Sequence, residues 1–195
     1  MISKDREYRA FEFQVEEMRI DGVPIVYEQP TIMAEIDGIK YYEIISRGAC
    51  DEETQMDNVV LVENHQGRAA AKTKNKTLSL RTSDDGLFIS ADLSKNATGR
   101  ELHEAIKNGF YDKMSFAFTV QKDSYDKNTR TRRIEKIDRL YDVSVVDWPA
   151  YNQTSVSARS FFEAEAEKEM KERAEAHRRE ELLSELKRKV GINGN

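Results

Sequence analysis

Hydrophobic and polar residues alternate through the first part of the chain, with the two-residue period that is typical of half-buried β-strands. Residues 11–15 show this alternation and predict a first strand. The Asp-Gly pairs at residues 21–22 and 37–38 are preferred hairpin turns, and each stands between short apolar segments. We therefore expect residues 1–45 to form a β meander.

A continuous apolar run, Val-Val-Leu-Val at residues 59–62, predicts a strand that is buried on both faces. His65 lies just beyond its end, and we expect it to lead into a glycine-containing loop and to point into a cleft. Two more strands are expected at residues 78–82 and 87–93, because each has apolar residues in alternation and an Asp-Gly turn joins them.

A helix is predicted between these strands and the middle of the chain. Thr98 and Glu101 have the Thr-x-x-Glu spacing of a capping box, which satisfies free backbone N–H groups at the start of a helix. Apolar residues at 102, 105 and 106 then recur at helical spacing, and Gly109 is suited to the left-handed position that ends a helix. We expect His103, on this helix, to be exposed.

A buried strand is expected at residues 114–122, and it carries Ser115 among apolar neighbours. A polar hairpin loop at residues 126–130 separates it from a strand that begins at residue 131 and ends at Pro149, which has no N–H for a ladder. Ser115 has two explanations at this point. Its hydroxyl is either bonded to the backbone or presented as a nucleophile on a rigid strand.

The composition changes from about Phe161 onward. Residues 163–189 are rich in Glu, Lys, Arg and Ala and contain no Gly or Pro, which predicts a solvent-exposed helix with many i,i+4 ion pairs. Four apolar residues between 182 and 190 form one narrow stripe near its end. This segment is either a solvated helix, or a helix for assembly or partner binding, or a removable tail.

Composition and charge narrow the classes of partner. The formal net charge of -5 lacks the basic surplus of most nucleic-acid-binding proteins, so we expect no nucleic-acid partner. No apolar run approaches the length of about 18 residues that spans a membrane, so we expect no membrane partner. The single cysteine, Cys50, fits a reducing cytosol, and we expect a buried thiol whose pKa is raised by neighbouring acids.

Metal and cofactor sites are not predicted either. The three histidines are far apart in sequence, and the chain contains neither a Cys-x-x-Cys nor a His-Glu-x-x-His spacing. It also lacks a glycine-rich phosphate loop and a Gly-x-Ser-x-Gly elbow.

Nucleophilic hydrolysis requires a hydroxyl, a base that takes its proton, and a group that orients the base. Ser115, His65 and Asp142 are candidates for these roles, each from a strand or a strand end. Asp142 shares a strand face with Ser144, whereas Asp147 lies on the opposite face and is an alternative acid. Sequence spacing leaves the distances between these side chains open.

Five segments, in this order, resemble the prohead proteases of tailed bacteriophages, the capsid-maturation serine proteases that are distantly similar in fold to herpesvirus assemblin. The segments are the turn at residues 46–50, the strand that ends in Asn64 and His65, the turn and strand from residue 85, the Met-Ser-Phe-Ala-Phe strand at 114–118, and the segment at 141–150. The likeness extends over roughly residues 8–158.

The resemblance implies an α+β fold that is mainly β. We expect a closed or nearly closed antiparallel β-barrel with a few packed helices over residues 1–158, followed by a charged helical tail at residues 159–195. It also implies that Ser115 is the nucleophile and His65 the catalytic base. Asp142 then stands where the family usually has Glu, and Ala117 where it usually has Gly.

The function implied by the resemblance is a serine endopeptidase that cleaves scaffold or capsid-subunit segments, and itself, during prohead maturation. The alternatives are a catalytically inactive assembly or scaffolding protein and a small β-barrel binding module. The implied partners are the major capsid protein with its scaffolding segment, and a second copy in a dimer. The implied location is the host cytoplasm, inside the assembling prohead. By analogy with assemblin, residues 153–155 are candidates for the oxyanion hole.

Overall fold

The computed structural model describes residues 7–147 and 156–190. Strands dominate this part of the chain, with two α-helices and two short 3-10 helices at Thr73–Asn75 and Leu93–Lys95. The strands are β1 (Glu7–Glu16), β2 (Arg19–Val26), β3 (Thr31–Ile36), β4 (Ile39–Ile45), β5 (Val60–Glu63), β6 (Gln66–Lys72), β7 (Leu78–Thr82), β8 (Gly86–Asp92), β9 (Lys113–Asp126) and β10 (Thr131–Val146); the helices are α1 (Ala97–Lys107) and α2 (Val156–Val190).

The strands form one open sheet in the order β3-β4-β10-β9-β1-β2-β8-β7, and β5 and β6 branch from β10. Within the described residues no pairing joins β3 to β7, so the expectation of a closed or nearly closed barrel is wrong. The reason lies in β10, whose residues 131–134 pair with β4 and whose residues 142–145 pair with β5. Because one strand has two successive neighbours on the same edge, the sheet forks instead of closing. Both of these pairings are parallel, which also departs from the antiparallel expectation.

The long hairpin of β9 and β10 is the centre of the sheet. Its loop lies where the polar residues predicted it, between Asp126 and Thr131. The Asp126 carboxylate closes the loop by accepting hydrogen bonds from the Asn128 N–H at 2.9 Å and the Thr129 hydroxyl at 3.0 Å. Arg130 completes the turn with a φ of 51°.

Of the two Asp-Gly hairpins predicted near the N-terminus, one is confirmed and one is wrong. Asp37 and Gly38 form the turn between β3 and β4, with φ values of 51° and 75°. Residues 21–22 instead lie inside β2, and the first turn falls at residues 17–18. Gly22 precedes a register shift against β8, a position where strands tolerate glycine because a bulge leaves its neighbours unpaired.

Helix α1 begins two residues earlier than the proposed capping box requires. Asn96 is the N-cap, and its side-chain oxygen accepts the Gly99 N–H at 2.6 Å, so the expectation of a Thr98 cap is wrong. Gly109 has the predicted left-handed conformation, with a φ of 77°. His103 is only 7% exposed, which corrects the expectation that it faces solvent.

The hydrophobic core lies between the sheet and α1. Phe116 and Phe118 of β9 are fully buried and stack with ring centroids 4.9 Å apart. Leu102 and Ile106 of α1 belong to the same cluster. Cys50 is buried as predicted, and burial together with the nearby Asp51 charge raises the pKa of its thiol to about 12.

The chain divides into two compact units, residues 1–159 and residues 160–195. Most of the second unit is the exposed part of α2, where ion pairs at i,i+4 spacing such as Lys171–Glu167 and Lys189–Glu185 confirm the predicted charged helix. Leu182, Leu183 and Leu186 are about half exposed. In the described residues, neither helix is apolar enough over a sufficient length to cross a membrane.

Candidate active site

Three strand segments bring the predicted side chains to one face of the sheet. Ser144 of β10 lies directly opposite Ser115 of β9 in the antiparallel ladder. On its other side, Ser144 pairs with Val62 of β5, and Asp142 pairs with Val60. Because residues that are paired in a ladder point to the same face and side chains alternate along a strand, Ser115, Ser144 and Asp142 share one face.

His65 enters this face from a two-residue turn. Asn64 and His65 connect β5 directly to β6, and both have left-handed φ values, 46° and 59°. Two positive φ values in a two-residue hairpin are the features of a type I′ turn. The Asn64 N–H donates to the Val145 carbonyl at 2.9 Å, which ties the turn to β10. The expectation of a glycine-containing loop here was wrong, since β6 begins at Gln66.

The side chains of Ser115, His65 and Asp142 form a continuous hydrogen-bonded chain. The Ser115 Oγ lies 2.8 Å from His65 Nε2, and His65 Nδ1 lies 2.6 Å from Asp142 Oδ1. Ser115 is 3% exposed, and the side chains of His65 and Asp142 are 10% and 8% exposed. The residues are 77 and 50 positions apart in sequence, so only the fold brings them together.

The distances suit one arrangement of protons. A neutral imidazole that carries its proton on Nδ1 donates to the Asp142 carboxylate and leaves Nε2 free to accept from the Ser115 hydroxyl. Such a chain of hydroxyl, imidazole and carboxylate can move a proton from the serine to the histidine when the serine attacks an electrophile.

Asp147, the alternative acid, takes no part in this chain of hydrogen bonds. It is exposed, and its backbone N–H lies 3.4 Å from the Asn64 side-chain oxygen. Of the two predicted acids, the structure therefore places Asp142 against the imidazole. The proposed oxyanion segment, residues 153–155, lies outside the described residues.

Comparison with known proteins identifies the family. The family model of the caudovirus prohead serine proteases matches residues 4–171. The chain belongs to this family. The prohead protease of Enterobacteria phage HK97 is 31% identical over 81 residues, an alignment that covers 41% of this chain and 36% of the relative, or about a third of its length. A solved structure, the capsid assembly protease of bacteriophage T4, has a TM-score of 0.45 and 11% identity, and the match covers 74% of this chain and 99% of that one.

Ser144 also belongs to the site of this prohead protease family member, although its sequence position predicted no role for it. Its side chain is fully buried, and its hydroxyl lies 2.9 Å from Asp142 Oδ1 and 3.1 Å from His65 Nδ1. Its Oγ also accepts the His65 backbone N–H at 3.1 Å. The alternation of side chains had already placed Ser144 on the face of Asp142, and that was the available signal.

A pocket of about 550 Å³ opens beside the imidazole and the Asp142 carboxylate. Valine side chains of β5 and the ring of Tyr141 supply its apolar wall, and the guanidinium of Arg139 lies 5.4 Å from that ring. Asn58 and Gln66 also line it. The pocket has room for an amino-acid side chain next to His65 and Asp142.

A tyrosine and a glutamate hold the loop before β9 against the β5 strand end. The Tyr111 hydroxyl donates to a carboxylate oxygen of Glu63, two residues before His65. Burial and the nearby Glu63 charge raise the pKa of Tyr111 to about 12. Since β9 begins at Lys113, this contact fixes the strand end from which Ser115 is presented.

Metal ligation has no support at this site. Across the described residues, no group of three or more His, Cys, Asp or Glu side chains is arranged to hold a metal ion.

Proposed function

We propose that this chain is a serine endopeptidase of phage prohead maturation, with Ser115 as nucleophile, His65 as general base and Asp142 as the acid that orients it. The observation that carries the proposal is the unbroken hydrogen-bonded chain from the Ser115 Oγ through the imidazole to Asp142. Membership of the caudovirus prohead serine protease family supports the same activity.

Acylation begins at Ser115. Its Oγ attacks the carbonyl carbon of a peptide bond while its proton passes to His65 Nε2, and the carbonyl oxygen becomes the oxyanion of a tetrahedral intermediate. The imidazolium that forms is stabilised by the Asp142 carboxylate, 2.6 Å from Nδ1. When the intermediate collapses, the C–N bond breaks, His65 returns the proton to the leaving amine, and the acyl group stays on Ser115.

Deacylation repeats the same steps with water as the nucleophile. His65 takes a proton from a water molecule that attacks the ester carbonyl, and then gives the proton back to the Ser115 Oγ as the acid product leaves. The oxyanion of each intermediate requires backbone N–H donors, each of which is worth about 3–4 kcal/mol in serine proteases. Residues 153–155 remain the prediction for that role.

The proposed substrates are phage assembly proteins. We infer that the major capsid protein and its scaffolding segment are the partners, inside the assembling prohead in the host cytoplasm, and that the chain also cleaves itself. The support is the family description and the name of the HK97 relative, a prohead protease. Self-association as a dimer belongs to the same proposal.

The proposal also assigns roles to two parts of the chain. Residues 1–158 are the protease domain, and residues 159–195 are a charged tail that can be removed by self-cleavage. Mass spectrometry of mature particles is expected to find the protease domain without the tail. Recovery of the intact tail from those particles would contradict self-removal but would leave the protease activity untouched.

The central experiment co-expresses the chain with the capsid protein of its own phage and compares wild type with Ser115→Ala. We expect the wild type to shorten the capsid protein and the variant to leave it at full length, because Ala has no hydroxyl to attack the peptide bond. Gel electrophoresis and intact mass measure the cleavage. Particles assembled with the Ser115→Ala variant report that the chain still folds and joins the prohead.

A matched control is Ser90→Ala. The Ser90 hydroxyl is buried, and in the described part of the chain it has no hydrogen-bond partner, so its removal deletes the same atom without touching the site. This variant should cleave as the wild type does. Equal processing by wild type and Ser115→Ala would reject the protease, and particles without any processing would favour an inactive assembly protein.

A further inference from the structure

Ser144 is a fully buried hydroxyl in the middle of the site, and the proton-transfer chain of Ser115, His65 and Asp142 does not include it. It lies on the central strand β10, directly opposite Ser115 in the ladder. A buried hydroxyl is costly unless it is hydrogen-bonded, so a serine at this position needs partners that an alanine would lack.

The hydrogen-bonding capacity of Ser144 is fully used. A serine hydroxyl has one proton to donate and two lone pairs that accept. The proton goes to Asp142 Oδ1 at 2.9 Å. The lone pairs face the His65 backbone N–H at 3.1 Å and the His65 Nδ1 at 3.1 Å. All three contacts involve the two residues that must activate Ser115.

We propose that Ser144 is a positioning residue that locks His65 and Asp142 to each other, and so holds the imidazole at the distance required to activate Ser115. The inference rests on the proposed function and adds to it a fourth residue. Ser144 touches neither the substrate nor the transferred proton, and it acts only through its two neighbours.

The His65 backbone shows why such a lock is required. Its φ of 59° is left-handed, a conformation that is unfavourable for a residue with a β-carbon. The hydrogen bond from its N–H to the Ser144 Oγ stabilises that conformation from the face of the sheet. Without it, the turn loses one of its two backbone N–H bonds to β10, and the Asn64 N–H to Val145 bond and the contact of the imidazole with Asp142 remain.

The Asp142 side chain needs the same restraint. It lines an open pocket of about 550 Å³, and its side chain is 8% exposed. A carboxylate oxygen that accepts both the imidazole N–H and the Ser144 O–H is held at one position. The Ser144 proton therefore fixes which oxygen of Asp142 faces His65.

The test uses a probe that requires no knowledge of the substrate. Diisopropyl fluorophosphate reacts with an activated serine, whose Oγ displaces fluoride from phosphorus, and the mass increase of the intact chain reports the reaction. The maximal rate and the half-saturating concentration are measured separately for the wild-type chain, with Ser115→Ala as the unlabelled reference. Absence of labelling in the wild type would reject the proposed function itself.

The Ser144→Ala variant is expected to lower the maximal labelling rate by about 10- to 100-fold, as removal of a hydrogen bond that orients a metal-binding histidine does. The half-saturating concentration should stay within about twofold, because Ser144 acts through the imidazole and not on the probe. Ser144→Thr, which keeps the hydroxyl and suits a strand, is expected to restore most of the rate. Ser90→Ala, which removes a buried hydroxyl without a partner among the described residues, is expected to label like wild type.

A spectroscopic measurement separates positioning from general stability. The chain has three histidines, so imidazole ¹⁵N labelling with His103→Gln and His177→Gln variants assigns the His65 Nδ1–H resonance. In wild type this proton is expected far downfield, because it is shared with a carboxylate 2.6 Å away. In Ser144→Ala it is expected to move upfield or broaden, while the rest of the spectrum keeps the folded pattern.

Each outcome decides the inference. A folded Ser144→Ala variant that labels at the wild-type rate, or that keeps the His65 Nδ1–H resonance unchanged, would overturn it while leaving the serine protease in place. A third outcome is that Ser144→Ala loses labelling rate while its His65 Nδ1–H resonance stays unchanged. If Ser144→Thr then fails to recover the rate, Ser144 has a packing role only.

Discussion

The hairpin of β9 and β10 carries two buried polar clusters, one towards each end. Towards the loop, the Arg132 guanidinium lies 2.6 Å from Asp123 and 3.4 Å from Glu43, and both Arg132 and Glu43 are almost fully buried. At the other end, His65 lies between Asp142 and Ser115 at similar distances. β9 and β10 therefore each contribute one residue to both clusters, the third member is Glu43 of β4 or His65 of the β5–β6 turn, and a basic group lies in the middle of each.

The two clusters differ in what the middle group can do. Arginine keeps its charge at all relevant pH values and has only donors, so its cluster is an ion pair network that cannot pass a proton. Histidine accepts at one nitrogen while it donates at the other; its cluster ends in the Ser115 hydroxyl, and His65 and Asp142 line a pocket. Burial and hydrogen bonding are common to both, and the titratable centre with a nucleophile is what indicates chemistry.

The largest effect is expected when the acid of the histidine cluster is changed. Asp142→Asn is expected to reduce the Ser115 labelling rate by roughly 10³- to 10⁴-fold, because an amide at this position favours the wrong imidazole tautomer. Phosphonylation kinetics measure the effect. Asp147→Asn is the matched control, since Asp147 is exposed and away from the imidazole, and a comparable loss in that variant would reassign the acid.

The second change removes the centre of the arginine cluster. Arg132→Met is expected to lower the free energy of unfolding by about 3–5 kcal/mol, because it leaves the buried Glu43 charge without its partner. Urea unfolding measures this, and the labelling rate of the folded fraction should stay at the wild-type value. The double variant Arg132→Met, Glu43→Leu should recover most of the stability. A lower labelling rate in the folded Arg132→Met variant would show that the arginine cluster affects the histidine cluster.

A third, smaller change tests the turn that delivers His65. Asn64 has a φ of 46°, and Asn64→Val is expected to cost about 1–2 kcal/mol of stability because a β-branched side chain clashes in the left-handed region. Asn64→Gly, which adopts that region freely, should differ little from wild type. Thermal unfolding distinguishes the two, and equal losses would show that the Asn64 side chain matters more than its backbone.

The smallest effect is a pH dependence near the site. Burial, and after it the hydrogen bond and charge of the Glu63 carboxylate, disfavour the phenolate, so the folded protein raises the pKa of Tyr111 from its ordinary value of 10.0 to about 12. This contribution to stability is complete below pH 10 and is lost as the pH rises through about 12. Tyr111→Phe should remove that decline when unfolding is followed between these pH values. A decline of equal size in Tyr111→Phe would assign it to other groups.

Local elements were the part of the fold that the sequence predicted well. The hairpin at residues 126–130, the turn at Asp37, the left-handed Gly109 and the charged helix each follow from side chains close to one another in the chain. The Asn96 cap was missed because two residues suited to capping, Asn96 and Thr98, stand near the helix start. Gly99 approaches the Leu93 backbone closely, and a β-carbon there would meet the Leu93 carbonyl oxygen at 2.4 Å.

Some residues of the candidate site were also predicted from the sequence, and others were not. Ser115 was singled out because a small polar residue interrupts an apolar strand, and His65 because it follows a buried one. Their catalytic roles remain proposals. Neither β6 nor the contribution of Ser144 was predicted, because residues 66–72 lack a clear alternation, and sharing a strand face with Asp142 does not by itself indicate a hydrogen bond.

Residue types and neighbouring side chains were enough to predict most of the strands, the Asp37 turn and the left-handed Gly109, and to supply a candidate hydroxyl, imidazole and carboxylate. The division of the β10 edge between β4 and β5, the open sheet, and the contact of His65 with Asp142 rather than Asp147 follow only from the fold. Turns and caps depend on neighbours a few residues away. The pairings of β10 with β4 and β5 join residues 89 and 82 positions apart, and the site joins His65 to Ser115 and Ser144, which are 50 and 79 positions away.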